Sequence, residues 1–288
     1  MRKSITSFAA LILNMSPFSP EIAAHALIPK EFLNQASSLH FALHLGQHYV
    51  EAALAEAAGG EFHWARAFKT ENEAQHENDV IEFVTARNWN ERVFRKCSIS
   101  FDVMKFALVP SAFYSQESAV TFLEFNCGAV VNDVHSAEIR EVNAFLIYES
   151  PQWINDLTRI FPNGRFFPSA YLFLKHACVV SAQKKETLII AYTGSLMLLA
   201  IFRDGRPLLL NGYPVQNEED VLYHASNAAM RLQVDFENVP LFIYSLSGDK
   251  ALHNLMKHYN RNCTSMFEDE KSSGNEATFI THLHMLCA

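Results

Sequence analysis

The sequence contains few of the residues that mark disulfide-rich, fibrous or low-complexity proteins. Its 288 residues include 5 cysteines, 10 glycines and 10 prolines. The cysteines are odd in number, widely spaced and form no C-x-x-C pair. This pattern argues against a zinc knuckle or a disulfide framework and favours reduced thiols in a cytoplasmic protein. Hydrophobic residues make up 49% of the chain and charged residues 19%, so we expect a well-packed globular fold.

Positive charge is also scarce. Lysine and arginine number 23 against 31 aspartates and glutamates, which gives a net charge of −8. The chain has no dense basic stripe, and therefore lacks the electrostatic footprint of a protein that binds phosphate backbones. We expect no nucleic-acid partner.

Long hydrophobic runs are missing as well. No apolar run approaches the roughly 20 residues that span a bilayer, so no membrane span is predicted. A short apolar stretch at residues 8–13 follows two basic residues, but prolines and a glutamate occupy the region where a signal peptide would be cleaved. We interpret residues 1–37 as a poorly structured leader of a cytoplasmic protein. A secretory signal within residues 1–26 stays open as the alternative.

Two stretches of the chain show the same order of predicted elements. Strands are predicted at residues 39–45, 49–55 and 61–68, and again at residues 187–193, 196–202 and 206–210. A glycine-containing turn separates the first two strands of each set, and a helix follows the third. Such a long-period repeat indicates a duplicated fold. The polar patch at 181–186 marks the predicted boundary between lobe I, residues 38–183, and lobe II, residues 184–288.

Helices are predicted where apolar residues recur at three- and four-residue spacing. The main predicted helices lie at residues 111–125, 168–180, 218–232 and 250–260. The chain closes with a predicted strand over residues 278–286. Sheets flanked by helices indicate an α/β protein in which each lobe contains a mixed sheet.

Two lobes of this kind resemble the actin-like class of ATPases, whose lobes are ribonuclease H-like duplications. Within that class the chain resembles the bacterial domain-of-unknown-function family numbered 3822, whose structures have an actin-like ATPase fold. The residues that carry the resemblance are Leu108 to Pro110, Ile160 to Pro162, Leu209 to Asn211, Asp220 to Tyr223 and Leu283 to Cys287. A more distant similarity is to the actin-like pilus-assembly and type II secretion proteins, which work as cytoplasmic scaffolds. The resemblance implies the fold and carries no established activity.

Active members of the actin-like class hold phosphate and magnesium with acidic glycine turns. The first turn normally reads D-x-G-x-x-[ST], in which backbone N–H groups hold phosphate and the carboxylate organises Mg²⁺. The corresponding residues here are 44–49, HLGQHY. Gly46 is present, but His44 replaces the carboxylate and Tyr49 replaces the hydroxyl residue. Imidazole and phenol do not supply the hard, negative oxygen ligands that Mg²⁺ prefers.

The other two turns are altered in the same way. In lobe II the expected D-x-G turn has become Tyr192 to Leu196, which contains Gly194 and Ser195 but no acid. The glycine pair that covers adenosine is reduced to Gly248. We predict that Gly46, Gly194, Ser195 and Gly248 are the remnants of a degenerate nucleotide site, with residual nucleotide binding left open. No catalytic residue, metal site or required cofactor is predicted.

The leading interpretation is therefore a non-catalytic scaffold that binds a protein partner which the sequence does not identify. The alternative is a divergent ATPase, phosphotransferase or nucleotide-gated switch that uses Asp249, Glu219 or Asp220 as its acids. The simpler interpretation of Glu219 and Asp220 is that they stabilise the positive end of the following helix.

Two groups of histidines are candidate metal sites. His40, His44 and His48 recur at spacing four, but an alternating strand would separate the first two by about 13 Å, too far to share one ion. We interpret them as histidines with hydrogen-bond partners or with solvent exposure. His282 and His284 could share an ion with Cys287 near the end of the chain, but no carboxylate or second cysteine follows at the spacing of zinc ligands.

Three other groups have a functional and a simpler interpretation. Asp133 and His135 resemble a catalytic couple, but no nucleophile motif accompanies them. Cys127 could be a reactive thiol, although burial as a small apolar side chain is the default. Aromatic residues within 166–173 could form an exposed patch for a partner or could fill the core.

Overall fold

The computed structural model describes residues 28, 32, 34–47, 49–57, 62–69, 81, 84, 85, 94–245, 250–266, 283 and 284. Its strands are β1 (Leu39–Leu45), β2 (Tyr49–Glu56), β3 (Phe62–Lys69), β4 (Lys96–Phe101), β5 (Phe106–Pro110), β6 (Val134–Ile139), β7 (Ala144–Glu149), β8 (Arg165–Pro168), β9 (Glu186–Tyr192), β10 (Leu196–Arg203), β11 (Arg206–Pro214), β12 (Leu241–Ser245) and β13 (Cys263–Ser265). Its helices are α1 (Ala119–Cys127), α2 (Ile154–Ile160), α3 (Ser169–Ser181), α4 (Glu218–Arg231) and α5 (Lys250–Tyr259), with short 3₁₀ segments at Ala36–Ser38 and Arg140–Val142. Most of the predicted leader, residues 1–37, lies outside the described residues.

The first sheet has the strand order β3-β2-β1-β4-β8. β2 pairs antiparallel with both β1 and β3, and Leu43 of β1 lies opposite Ala52 of β2. Every side chain of β1 is buried, as expected for an inner strand that is covered on both faces. Phe41 stacks on Phe94 and Phe161, with ring centroids 4.9 and 6.0 Å away.

The second sheet repeats that order as β11-β10-β9-β12-β13. β9, β10 and β11 form an antiparallel meander, whereas β12 is parallel to both β9 and β13. A parallel neighbour needs a crossover connection, and α4 supplies it between β11 and β12. The two sheets therefore share the duplicated α/β arrangement that the sequence repeat predicts.

A third, smaller sheet is formed by residues between β4 and α2. Its order is β5-β7-β6, and both pairings are antiparallel. α1 covers it and contributes Leu123 to a small core with Ala107 and Ile147. β6 is not predicted from the sequence, because its residues VHSAEI show little alternation between apolar and polar side chains.

Contacts divide the described residues into two compact units. The first contains the described residues up to Ser100 together with Trp153–Phe166, and the second contains Phe101–Gln152 and the described residues from Phe167 onwards. The predicted boundary between residues 183 and 184 follows the sequence repeat instead, and it stays a prediction. None of the helices in the described ranges is both long and apolar enough to cross a membrane.

The helix predicted over residues 111–125 begins later than expected. α1 starts at Ala119, and turns precede it. In these turns Ser115 and Ser118 accept hydrogen bonds from each other's backbone N–H groups through their hydroxyls. Serine side chains that bond nearby backbone groups compete with helix formation, which explains the late start.

The strand predicted over residues 278–286 is wrong where the structure describes it, because Leu283 and His284 are helical. Ile280, Leu283 and Leu286 recur at a spacing of three, which is closer to a helical than to a strand period. β8 and β13 are not predicted either, since strands of four and three residues leave little pattern in a sequence.

Candidate functional site

The first predicted nucleotide turn lies between β1 and β2, and Tyr49 fills it. The Gly46 N–H donates to the Tyr49 carbonyl at 2.9 Å and closes the turn. The Tyr49 ring folds back over Gly46, so that its Cδ1 lies 2.6 Å from the place that a Cβ at residue 46 would take. Any side chain at position 46 would overlap this ring. Glycine is therefore required here by an aromatic side chain of the same chain.

His44 connects Tyr49 to β4 through buried hydrogen bonds. Its Nε2 lies 2.7 Å from the Tyr49 hydroxyl, and its Nδ1 lies 2.7 Å from Ser100 Oγ. Burial lowers the pKa of His44 to about 3, so the imidazole is neutral near pH 7. A neutral imidazole has one donor and one acceptor nitrogen, and hydroxyl groups can serve either. Both ring nitrogens are thus satisfied without any charge.

His40 repeats this arrangement four residues earlier on β1. Its Nε2 lies 2.6 Å from Ser98 Oγ in a buried position. Burial, followed by the positive charges of Lys96 and Arg165, lowers the pKa of His40 to about 4. The two histidines that the structure describes on β1 therefore have hydrogen-bond partners on β4, in agreement with the simpler interpretation. His48 lies outside the described residues.

Three further polar residues on this face of the first sheet are not predicted from the sequence. Ser98 and Ser100 of β4 are buried beside the histidines, and Glu51 of β2 is buried directly opposite His44 in the strand register. Residues opposite each other in an antiparallel pair share one face of the sheet. The available signal was a polar residue at every second position of a strand that is otherwise apolar.

The first turn does not fit a magnesium–nucleotide complex. Position 44 carries a neutral imidazole where the actin-like pattern places the carboxylate that organises Mg²⁺. The Tyr49 ring takes the space over Gly46 where the backbone would approach a phosphate. Both the hard oxygen ligand and the open backbone of that pattern are replaced.

The second predicted turn, between β9 and β10, is open. Gly194 has a φ of +88°, in the left-handed region that favours glycine, and a Cβ built there meets no atom of the described residues beyond its chain neighbours within 4 Å. The Thr193 N–H donates to the Leu196 carbonyl at 2.9 Å. Within the described part of the chain, the buried Ser195 Oγ has no hydrogen-bond partner. Nothing covers the glycine of this turn among the described residues. The buried Tyr192 occupies the position of the aspartate in the D-x-G pattern.

Glu219 and Asp220 lie in the first turn of α4 and stabilise its start. One carboxylate oxygen of Asp220 accepts from the Gln216 N–H at 2.9 Å. The Asp220 N–H in turn donates to Asn217 Oδ1 at 2.9 Å, so Asn217 caps the helix. This geometry agrees with the simpler interpretation of the acids. Asp249, the third acid of the alternative, lies outside the described residues, as does Gly248.

The predicted Asp–His couple forms no catalytic arrangement among the described residues. Asp133 and His135 are both exposed at the start of β6. His135 stacks on Tyr148, with ring centroids 6.0 Å apart. The described residues also contain no group of three histidine, cysteine or acidic side chains placed to hold a metal ion. His282 lies outside the described residues.

Cys127 and the aromatic segment 166–173 contribute to packing. Cys127 Sγ donates to the Phe106 carbonyl at 3.4 Å, and burial raises the pKa of this thiol. Phe167 and Phe173 are buried, and Tyr171 stacks on Phe167 at a centroid distance of 5.5 Å. Phe167 and Phe173 therefore fill the core, as one of the two interpretations expects, while Phe166 and Tyr171 are half-buried.

A family model described as "Protein of unknown function (DUF3822)" matches residues 31–263. The chain belongs to the DUF3822 family. The match covers both repeated sheets, and it confirms the resemblance that the short apolar motifs indicate. None of the curated proteins matches this DUF3822 chain.

Solved structures show the fold of the DUF3822 chain. A Bacteroides thetaiotaomicron protein with an actin-like ATPase fold and unknown function has a TM-score of 0.73 at 12% identity, over 89% of this chain and 98% of that chain. The PilM–PilN type IV pilus biogenesis complex has a TM-score of 0.48 at 12% identity, over 79% of this chain and 88% of that chain. The first likeness and the shared strand order confirm the duplicated actin-like fold. At 12% identity the likeness shows the fold alone.

Proposed function

We propose that this DUF3822 protein is a non-catalytic actin-like scaffold that binds a protein partner and retains a degenerate nucleotide site. The observation that carries the proposal is the filled first turn. The Tyr49 ring lies over Gly46, and a neutral His44 holds its hydroxyl. An actin-like ATPase needs an acid and an open glycine at these positions. Any residual nucleotide binding would use the open turn at Gly194 and Ser195, without the acid that organises magnesium.

We also propose that the protein works in the cytoplasm. Cys97 and Cys127 are free thiols. Burial raises the pKa of Cys97 to about 12, so this thiol stays protonated near pH 7. Free, protonated thiols are typical of proteins in a reducing compartment.

The nucleotide half of the proposal is tested by titrating the full-length protein with ATP in a calorimeter, with and without Mg²⁺, and by measuring released phosphate. We expect no magnesium-dependent binding up to about 1 mM ATP, where the binding free energy would be only about −4 kcal/mol. We also expect no phosphate above the no-protein blank. Magnesium-dependent binding with steady phosphate release would overturn the proposal.

Buried Glu51 favours a second candidate, a divergent ATPase or phosphotransferase. This carboxylate lies opposite His44 on the first sheet, beside the turn that the actin-like class uses for phosphate. If the protein releases phosphate, the second candidate predicts that Glu51→Gln abolishes the release while the far-UV circular dichroism spectrum is unchanged. The non-catalytic proposal predicts that wild type and Glu51→Gln give the same blank-level signal.

A further inference from the structure

A groove of about 940 Å³ lies in the second unit between β5 and β11. Leu108 and Pro110 line it from β5, and Leu208 and Leu210 line it from β11. The segment 140–144 and the end of α1 complete its lining. The lining combines these aliphatic side chains with polar and charged ones, among them Asn143, Arg206 and Asn211, so the groove suits an occupant with both apolar and polar groups.

The β5 wall of the groove is an unpaired strand edge. Among the described strands, β5 pairs with β7 alone. In an antiparallel pair, alternate residues direct both backbone groups away from the partner strand. The Ser111 N–H donates to the Asn143 carbonyl, which identifies this pair as hydrogen-bonded. Val109 and Ala107 share this orientation with Ser111, whereas the residue between them, Leu108, has the opposite one. The N–H and C=O groups of Leu108 therefore point away from β7.

The β11 wall is a second unpaired edge. In the described part of the fold, β11 pairs with β10 alone. The Val215 N–H donates to the Ser195 carbonyl, and the register continues regularly from there to Leu209. Alternation therefore directs the backbone groups of Leu210 away from β10. A long edge with aliphatic side chains and free backbone groups is a ready template for another strand.

The size of the groove matches an extended peptide. A strand rises about 3.4 Å per residue and needs about 4.8 Å beside its neighbour and about 10 Å across its side chains, so five residues occupy about 800 Å³. This volume is close to that of the groove. A helix, with a diameter of about 10–12 Å, would leave the backbone groups of the β11 edge unpaired.

The charged side chains that line the groove indicate one charged residue of the peptide. The charged side chains of the segment 140–144 already have partners, since Arg140 pairs with Glu138 at 3.1 Å and Glu141 pairs with Lys175 at 3.4 Å. Arg206 lines the same groove and is exposed, and none of the ion pairs of the described residues involves it. An acidic group on the occupant would balance this charge.

We propose that this groove binds an extended segment of a partner protein by strand addition to β11. The segment carries apolar side chains towards Leu108 and Leu208 and an acidic residue at Arg206. The inference rests on the partner-binding part of the proposed function, and it is independent of whether the turn at Gly46 binds nucleotide. The occupant is a peptide of another protein, and pairing between the β11 edges of two copies of this chain is the competing outcome.

The experiment is a selection of random nine-residue peptides displayed on phage against the full-length protein, with the Leu208→Lys protein as counter-target. Residue 208 is 37% exposed, so the substitution leaves the core intact. We expect enriched peptides with apolar residues at alternate positions and an acidic residue towards one end. Failure to enrich any peptide that prefers wild type over Leu208→Lys would overturn the proposal.

The binding mode is tested with an enriched peptide by fluorescence polarisation. Arg206→Glu is expected to weaken binding about tenfold or more, because a charge-assisted bond is lost and a like charge replaces it. Arg231→Glu, a matched change at an exposed arginine of α4 outside the groove lining, is expected to leave the affinity unchanged. Equal effects of the two substitutions contradict the assigned charge contact.

N-methylation of single peptide bonds separates strand addition from other binding modes. Pairing with β11 predicts about a tenfold loss of affinity at alternate residues, where an N–H donor is removed, and little change at the residues between them. No sensitivity at any position overturns strand addition. A wild-type dimer that Leu208→Lys converts to a monomer in light scattering would instead assign the groove to a second copy. Neither result depends on the ATP titration, so the two proposals can fail separately.

Discussion

Gly46 and Tyr49 show how single residues decide what a turn can hold. A glycine in a short turn often marks close approach of the backbone to a ligand. At Gly46 the approaching group is the Tyr49 ring, whereas at Gly194 the same space is open among the described residues. The two glycines look equivalent in the sequence. Their surroundings differ because only the first turn is followed by a large side chain that folds back over it.

We predict that Gly46→Ala lowers the free energy of unfolding by about 1–3 kcal/mol, because the added methyl overlaps the Tyr49 ring. Gly194→Ala is the matched control, since it has space for a methyl and loses only the left-handed preference of glycine, about 1–2 kcal/mol. Urea unfolding of Gly46→Ala, Tyr49→Ala and the double variant measures the coupling. The double variant should lose clearly less than the sum of the single variants. Strict additivity would show that the ring and Gly46 do not interact.

The residue-level prediction from sequence was partly successful. Replacement of the acid by His44 and of the hydroxyl residue by Tyr49 was visible in the sequence. Their mutual hydrogen bond and the bond from His44 to Ser100 were not. Ser100 lies 56 positions further along the chain, and only the pairing of β1 with β4 brings it to His44.

At the scale of elements, α4 begins where its sequence predicts because its first residues supply their own cap. Asn217 Oδ1 accepts from the Asp220 N–H, and the three acids at 218–220 favour the positive end of the helix. These interactions are local, so the sequence pattern suffices to predict the helix start.

A substitution of Asn217 tests whether its side chain caps α4. Asn217→Ala is expected to lower the free energy of unfolding by about 1 kcal/mol, because the Asp220 N–H loses its acceptor. Gln216→Ala is the matched control and is expected to change little, since Gln216 contributes its backbone N–H to the cap. Chemical denaturation of both variants gives the comparison. A Gln216→Ala loss as large as that of Asn217→Ala would contradict the assigned cap.

Strand pairing could not be predicted to the same depth. The sequence predicts a strand at residues 206–210, within β11, from their apolar content, but an edge strand and an inner strand can have the same residues. Which strand lacks a neighbour depends on residues far away in the sequence. The groove between β5 and β11 was therefore invisible to the sequence analysis.

For the whole molecule, the two buried histidines of β1 make stability depend on pH. The pKa values of His40 and His44 fall from 6.5 to about 4 and about 3 on folding, mainly through burial. Below pH 6.5 the two imidazoles bind protons in the unfolded chain, whereas in the folded protein they stay neutral down to a pH of about 4 for His40 and about 3 for His44. The stabilisation is complete above pH 6.5 and is lost as the pH falls towards 3, by about 1.4 kcal/mol per histidine for each pH unit.

Urea unfolding between pH 7 and pH 5 measures this effect. The wild-type free energy of unfolding should fall steeply below pH 6.5. The double variant His40→Gln/His44→Gln should show a flatter dependence of this free energy on pH, even if it is less stable than wild type at pH 7. Val50→Ala, a core truncation in the same sheet, is the matched control that lowers stability while keeping both histidines. It should retain the wild-type slope. The same slope in the histidine variant and in Val50→Ala would contradict the histidine origin.

By itself, the sequence determined the α/β class, the repeated strand pattern and the replacement of acids in the glycine turns, because these depend on residue type and local spacing. The tertiary structure decided the neighbours of each strand and the packing of Tyr49 on Gly46. It also set the burial of Glu51 and the opening of a groove between two strand edges. Those features arise from contacts between distant segments, whose geometry no local pattern records.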